Sequence, residues 1–286
     1  MKIFLTGASG ILGLSVLRLF QSNGNQVDFL KHREIFKYNY KDFKNYLTQF
    51  DLVIHAAANT NIEECEIDPD SCYRDNTLLT EIIASACKSI KLKMIFISST
   101  GVYGDYQDSA YREYSSTRPT NHHHKSKLLA EKIVQSYSTD NLIVRVGWLF
   151  GGELDNPRNF VFQRLKEAKE CSIKQEKLYS NNEQIGCPTY TEDVANKLLM
   201  FINEGQSGIY NIVNEGLASR YEYVNEIIKL SSYSISVEPS SAVIFNRKAK
   251  VSNNETALNW RLNEMGFSKM PHWKDSLKIY ISKIYR

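Results

Sequence analysis

Short apolar runs alternate with stretches of helical periodicity through the first half of the chain. Ile3-Phe4-Leu5 reads as a strand ending in a glycine-rich turn. Ile11, Leu12, Leu14, Val16, Leu17, Leu19 and Phe20 then recur at helical spacing and stop near Asn23-Gly24. Val27 to Leu30 and Asp51 to His55 read as the next strands. Leu78, Leu79, Ile82, Ile83 and Ala86 mark a helix, Met94 to Ile97 a strand, His122 to Tyr137 a helix and Leu142 to Val146 a strand. Short apolar runs separated by helices predict strands buried on both faces, in a parallel, doubly wound α/β sheet of the Rossmann type.

Beyond Gly151 the pattern loosens. Helices are expected over Phe160 to Lys169, Tyr190 to Phe201, Glu222 to Leu230 and Trp273 to Ile284, with a strand at Gly208 to Val213. The division expected is a dinucleotide-binding unit over residues 1–150 with a returning segment near 187–213. Residues 151–186 and 214–286 then form a smaller C-terminal α/β substrate-binding domain.

Bulk properties narrow this picture little. The 286 residues carry 35 basic and 32 acidic side chains, too even a balance for a nucleic-acid binder. Five scattered cysteines, none in C-x-x-C spacing, suggest neither a disulfide framework nor a structural zinc site, and read as reduced thiols. The apolar run after Lys2 is too short for a signal sequence, and no run approaches a membrane span. A cytoplasmic location is expected by elimination.

The turn Thr6-Gly7-Ala8-Ser9-Gly10-Ile11-Leu12-Gly13 stands between the first strand and the first helix. A bend without Cβ atoms lets the backbone approach a pyrophosphate, and the helix start offers free N–H groups and a positive dipole end. Gly7, Ser9, Gly10, Ile11, Leu12 and Gly13 are therefore candidate cofactor-binding residues. A structural strand–helix turn is the bland alternative. Lys31-His32-Arg33 follows the second strand, where an acid would favour NAD and a base the 2′-phosphate of NADP. Lys31 and Arg33 favour NADP(H), with NAD(H) still open. At the next strand ends, His55-Ala56-Ala57-Ala58 would admit a flat cofactor, and Ser98-Ser99-Thr100 would place hydroxyls in the ligand crevice.

Several segments together make a more specific pattern: TGASGILG, DLVIHAAANT, the Asp75-Asn76 pair, ISSTGVYG, PTNHHHKSKLLAEK, IVRVGWLFG and QIGCPTYTEDVA. The chain resembles the dTDP-4-dehydrorhamnose reductase family of extended short-chain dehydrogenases, from the N-terminus to about Ala195, with weaker echoes after that. The resemblance implies reduction of a 4-keto group on a nucleotide-activated deoxysugar by NADPH. It implies Ser99 as the catalytic hydroxyl, Lys127 as the lysine of Tyr-x-x-x-Lys and as a cofactor contact, and Asn76 beside the cofactor. It places Thr100, Tyr103, Trp148, Gln184, Pro188 and Thr189 on the substrate side. The partner implied is a nucleotide-activated sugar, with no nucleic acid and no membrane; a homodimer is compatible with it.

One position departs from the family. His123 stands where the tyrosine is expected, four residues before Lys127 and on the same helix face. Imidazole titrates near neutrality, far below phenol, but the Lys127 cation disfavours its charged form. It is also shorter. Three catalytic candidates follow: Ser99, His123 and Lys127. His122, His123 and His124 point about 100° apart on a helix and cannot all bind one metal, so no metal site is expected. A polar helix start is the plain alternative for this run. A displaced tyrosine among Tyr103, Tyr106, Tyr111 and Tyr114 is another. Two rival functions remain: a nucleotide-sugar epimerase or dehydratase with tightly held cofactor, and a non-catalytic NAD(P)-binding regulatory subunit.

Overall fold

The computed structural model describes residues 1–153, 156, 158–241 and 247–285; the His32 side chain lies outside the described atoms. Six parallel strands form the central sheet: β1 (Lys2–Thr6), β2 (Gln26–Leu30), β3 (Leu52–His55), β4 (Lys93–Ser99), β5 (Leu142–Val146) and, after four short strands, β10 (Gly208–Ile212). Their spatial order is β10-β5-β4-β3-β1-β2. The order reverses between β1 and β3, so the carboxyl ends of these strands open a crevice.

Both faces of the sheet are apolar because alternate strand residues go opposite ways. Ile3 and Leu5 join α1 (Ile11–Ser22) and α9 (Thr191–Asn203) in one cluster with Val16, Phe20, Leu198 and Phe201. Phe4, Val53, Met94 and Phe96 face the other way. They meet α3 (Tyr40–Leu47), α6 (Leu79–Ser89) and α7 (His122–Tyr137). Between β2 and α3 the chain makes one helical turn, α2 (His32–Ile35). The stretch after β3 holds α4 (Ile62–Ile67), α5 (Pro69–Tyr73) and a π-helical turn, Arg74–Leu78, that runs into α6.

The remaining elements gather around a third cluster. Strand β6 (Trp148–Phe150) pairs in parallel with β9 (Pro188–Tyr190). Strand β7 (Leu178–Asn181) pairs with β12 (Val237–Ser240), and β8 (Ile185–Gly186) with β11 (Ala218–Ser219). Helices α8 (Phe160–Lys174), α10 (Arg220–Lys229) and α12 (Trp273–Ile284) cover them, and α11 (Trp260–Glu264) lies near β10. Caps set these helices: Asn159 starts α8, and Ser219 with Glu222 makes a reciprocal capping box on α10. Among the described residues no helix is long and apolar enough to cross a membrane.

The basic segment after β2 runs into α2; Glu34 accepts the Lys31 N–H at 2.6 Å and closes the turn. The helix of the three histidines is not a solvated helix start. His123, His124, Ser126, Lys127 and Glu131 are all buried on α7, because the π-helical turn packs on one side and β4 on the other.

Burying Glu131 is tolerable only with a counter-charge. Arg145 on β5 supplies it bidentately, Nε to Oε1 at 3.0 Å and Nη2 to Oε2 at 2.7 Å. Arg145→Met strands that carboxylate and is expected to cost about 3–5 kcal/mol, read by urea denaturation; the double variant Arg145→Met/Glu131→Leu recovers most of the loss.

Candidate active site

The glycine turn is built as the sequence suggests. Gly7 sits at φ +76°, and a Cβ there would stand 2.6 Å from the Ala57 nitrogen. A Cβ on Gly13 would overlap the Gly7 carbonyl oxygen, which Gly10 N–H already engages at 2.9 Å. The turn is therefore pressed between the helix start and the end of β3, so close strand–helix packing is one reason for its glycines. The other is an uncapped donor edge: Gly10 starts α1 with no side-chain cap, and no acidic residue lies in the first turn. An anionic diphosphate fits such a helix start, since the orphan N–H groups and the dipole both favour negative charge. Ser9 is exposed, Ile11 half-buried and Leu12 buried in the core. Leu30 lies opposite Thr6 across β1 and β2, so the exposed Lys31 and Arg33 flank the same edge of the sheet.

The end of β3 carries a buried relay. Thr80 Oγ1 donates to the Asn76 carbonyl at 2.6 Å and so accepts from His55 Nε2 at 3.0 Å. His55 Nδ1 is then the acceptor for Thr6 Oγ1 at 2.6 Å. This neutral ring is fully enclosed, and burial with the nearby Lys127 charge pushes its pKa down to about 3. His55, expected to touch a cofactor, instead ties β1 and β3 to α6. Ala57 is buried, while Ala56 and Ala58 are half-buried and keep some access to the crevice.

Asn76 is likewise committed within the protein. Its Oδ1 accepts Asn59 N–H at 2.7 Å, and its Nδ2 donates to the Asn59 carbonyl at 3.1 Å and to Ser126 Oγ at 3.0 Å. That carbonyl also accepts from His123 Nδ1 at 2.9 Å. His124, the next residue, turns the other way: its ring occupies the space a Cβ on Gly101 would need, and Nδ1 pairs with Asn121 at 3.1 Å. The two rings lie 5.0 Å apart. Burial first, then His124 and the Lys127 cation, hold the His123 imidazolium well below the usual histidine range.

Lys127, one turn further, points its ammonium over the Phe96 ring at 4.0 Å. Among the described residues none accepts a hydrogen bond from it. Burial brings its pKa down to about 7, against the opposing pull of Glu131. Ser99 ends β4 half-buried, its Oγ accepting Gly101 N–H at 3.2 Å. Ser98 Oγ is buried with no hydrogen-bond partner among the described residues. Helix α7 thus brings His123 and Lys127 against the carboxyl ends of β3 and β4.

The substrate-side expectations divide. Tyr103 is a core residue: it is fully buried, stacks on Tyr111 at 4.9 Å and gives its hydroxyl to Asn211 at 2.8 Å. Tyr111 is buried with it, and neither is free to replace the missing tyrosine. Thr100, Pro188 and Thr189 are also buried, the last bonded to the Cys187 carbonyl. Trp148 and Gln184 do come together, with two residues that were not among the expected site residues. The Arg220 guanidinium lies 3.4 Å from the Trp148 ring centroid, and its Nε donates to Gln184 at 3.3 Å. Trp148 Nε1 donates to Glu255 at 2.7 Å. Burial lowers the Arg220 pKa to about 10 and raises that of Glu255.

The Lys127 environment has a measurable consequence. From about 7 up to the ordinary lysine value of 10.5, the unfolded chain binds this proton and the folded one releases it, so stability rises with pH. Buried Cys87 and Cys187, pushed up to about 12, act oppositely above the ordinary thiol value of 9.0. The Tm of the free protein should therefore climb between pH 7 and 9, and Lys127→Met should flatten that climb.

The model of the RmlD substrate binding domain family matches residues 1–286. The spore coat polysaccharide biosynthesis protein SpsK of Bacillus subtilis is 27% identical over 99% of this chain and 97% of its own length. A dTDP-4-dehydrorhamnose reductase of Aggregatibacter actinomycetemcomitans is 30% identical over 69% of this chain and 66% of its own. Among solved structures, a dTDP-4-dehydrorhamnose reductase of Clostridium acetobutylicum superposes with TM-score 0.93 at 27% identity, covering 100% of both chains. One from Bacillus anthracis, in complex with NADP, superposes at 0.89 over 99% of both chains; at 24% identity it speaks for the fold alone. With a glycine turn, crevice and helix α7 that match the expected architecture, and a family model spanning its whole length, this chain belongs to the RmlD substrate binding domain family.

Proposed function

We propose that the protein is an NADP(H)-dependent oxidoreductase that reduces a 4-keto group on a nucleotide-activated deoxysugar. The observation that carries this reading is the uncapped start of α1 over a turn with no room for Cβ atoms, in a chain that belongs throughout to this family. Gly7, Gly10 and Gly13 would hold the diphosphate, and Lys31 and Arg33 would meet the 2′-phosphate. When bound, the nicotinamide supplies hydride. Ser99 orients the sugar oxygen, Lys127 holds the nicotinamide ribose, and His123 handles the proton.

The C-terminal cluster supports an anionic substrate. Among the described residues no carboxylate lies within ion-pair distance of Arg220, and Glu255 Oε1 is buried without a partner. A half-buried guanidinium with spare donors suits a sugar diphosphate, and Trp148 offers a flat apolar surface beside it. Relatives named as reductases match much of the chain, which favours reduction over epimerisation, dehydration or a purely regulatory role.

Two measurements test this reading. Fluorescence titration should show NADPH bound in preference to NADH, and Lys31→Ala/Arg33→Ala should cut NADPH affinity about tenfold while leaving NADH nearly unchanged. Gly13→Val should abolish binding of both. NADPH oxidation should then depend on a nucleotide-linked 4-keto deoxysugar. A protein with no affinity for either coenzyme overturns the proposal.

A further inference from the structure

His123 is held by a carbonyl, and a carbonyl only accepts. Nδ1 lies 2.9 Å from Asn59 O and 3.5 Å from Asn76 Nδ2, whose hydrogens go to Asn59 O and Ser126 Oγ at shorter range, so the close carbonyl contact puts the hydrogen on Nδ1. In the neutral ring that leaves Nε2 as a bare lone pair. No described residue hydrogen-bonds Nε2, and it is not among the fully enclosed nitrogens left without a partner, so the ring keeps one open nitrogen. The carbonyl itself is fixed from behind: Asn76 grips both Asn59 N–H and Asn59 C=O, and Asn76 is anchored by Ser126 on α7.

We infer that Asn76 and the Asn59 carbonyl lock His123 in its Nδ1–H form, so that Nε2 alone exchanges a proton with the sugar oxygen, and the neutral ring can take a proton there but has none to give. Asn76 is a positioning residue in this scheme; His123 is the catalytic one. The phenol of a tyrosine carries its proton up to high pH and can donate it directly. Here, reduction must draw on the imidazolium. The sugar carbonyl gains hydride at carbon from the reduced pyridine nucleotide and a proton at oxygen. That proton leaves Nε2, whose N–H bond breaks as the O–H bond forms, and the ring returns to its neutral Nδ1–H form. In the reverse direction the same lone pair removes the hydroxyl proton.

The groups around the ring oppose its charging. His124 and Lys127 face it from α7, the second a cation below its titration at about 7. Cys72 of α5 and Cys65 of α4 approach through the same amide network, Cys72 Sγ 3.5 Å from Asn76 Nδ2 and Cys65 Sγ 3.7 Å from Asn59 O. Asp75 lies behind the thiols in the π-helical turn. The neutral base form therefore dominates at rest, and reduction loses about tenfold in rate for each pH unit above the imidazole titration.

The catalytic half of this inference rests on the reductase reading above; the tautomer does not. With protein labelled at histidine nitrogen, long-range ¹H–¹⁵N correlation at neutral pH should show the His123 signal, assigned by its loss in His123→Gln, with Nδ1 in the protonated range and Nε2 in the bare range. Asn76→Ala should mix the two forms. In turnover, kcat/KM for reduction should fall steadily as pH rises from 6 to 9 by that tenfold-per-unit slope, and His123→Tyr should remove the fall. An Nε2–H tautomer in the wild type overturns the inference whether or not Asn76→Ala folds, as does a flat pH profile for reduction. Failure to turn over any nucleotide-linked keto sugar sinks the reductase reading, and with it the pH argument, while the nitrogen shifts still decide the tautomer.

Discussion

Helix α7 turns a polar face into the protein, and the site is organised by the need to satisfy that face. His123, His124, Ser126, Lys127 and Glu131 are all removed from water. An unpaired polar group in such a place is costly, and an unpaired charge more so. Each therefore recruits a partner from a different element. Glu131 takes Arg145 from β5, Ser126 takes Asn76 from the π-helical turn, His123 takes the Asn59 carbonyl after β3, and His124 fits over Gly101 after β4. These bonds fix α7 to the carboxyl ends of three strands and set its reactive side chains at the crevice.

Lys127 is the exception. It has a ring face at 4.0 Å and no hydrogen-bond acceptor among the described residues. A cation–π contact offsets only part of the cost of burying an ammonium, which is why its proton is held weakly. A ligand hydroxyl or phosphate arriving in the crevice would complete its surroundings. The same low-dielectric setting keeps all three buried histidines, His55, His123 and His124, in their neutral forms. The site thus meets a ligand with one loosely held lysine proton and neutral imidazoles, an arrangement unlike that of a lysine paired with a phenol.

The C-terminal part follows a different logic. Its core is aromatic, with Phe150, Tyr190, Tyr223, Trp273 and Tyr280 packed together. Arg220 pressed on Trp148, itself backed by Gly186, makes a cationic and aromatic surface.

The sequence by itself determined the sheet. Apolar runs such as Ile3-Phe4-Leu5 and Leu142 to Val146 are long enough, and the helical periodicity between them regular enough, to specify parallel strands and their covering helices. It also marked the glycine turn, because a missing Cβ is a local property written in the letters, and the His123-to-Lys127 spacing, because helix geometry is local too. The tertiary structure alone decided what those side chains meet. Tyr103 reads as a crevice residue from its place after β4 but lies in the core, since the 3-10 turn beginning at Thr100 carries it inward to Asn211. Asn76 and His55 read as cofactor contacts but are consumed by neighbours distant in sequence. The partner that fixes His123 is a backbone carbonyl, which every residue possesses and no sequence letter announces. Its role arises only when chain folding brings residue 59 to residue 123, a long-range contact that local pattern does not encode.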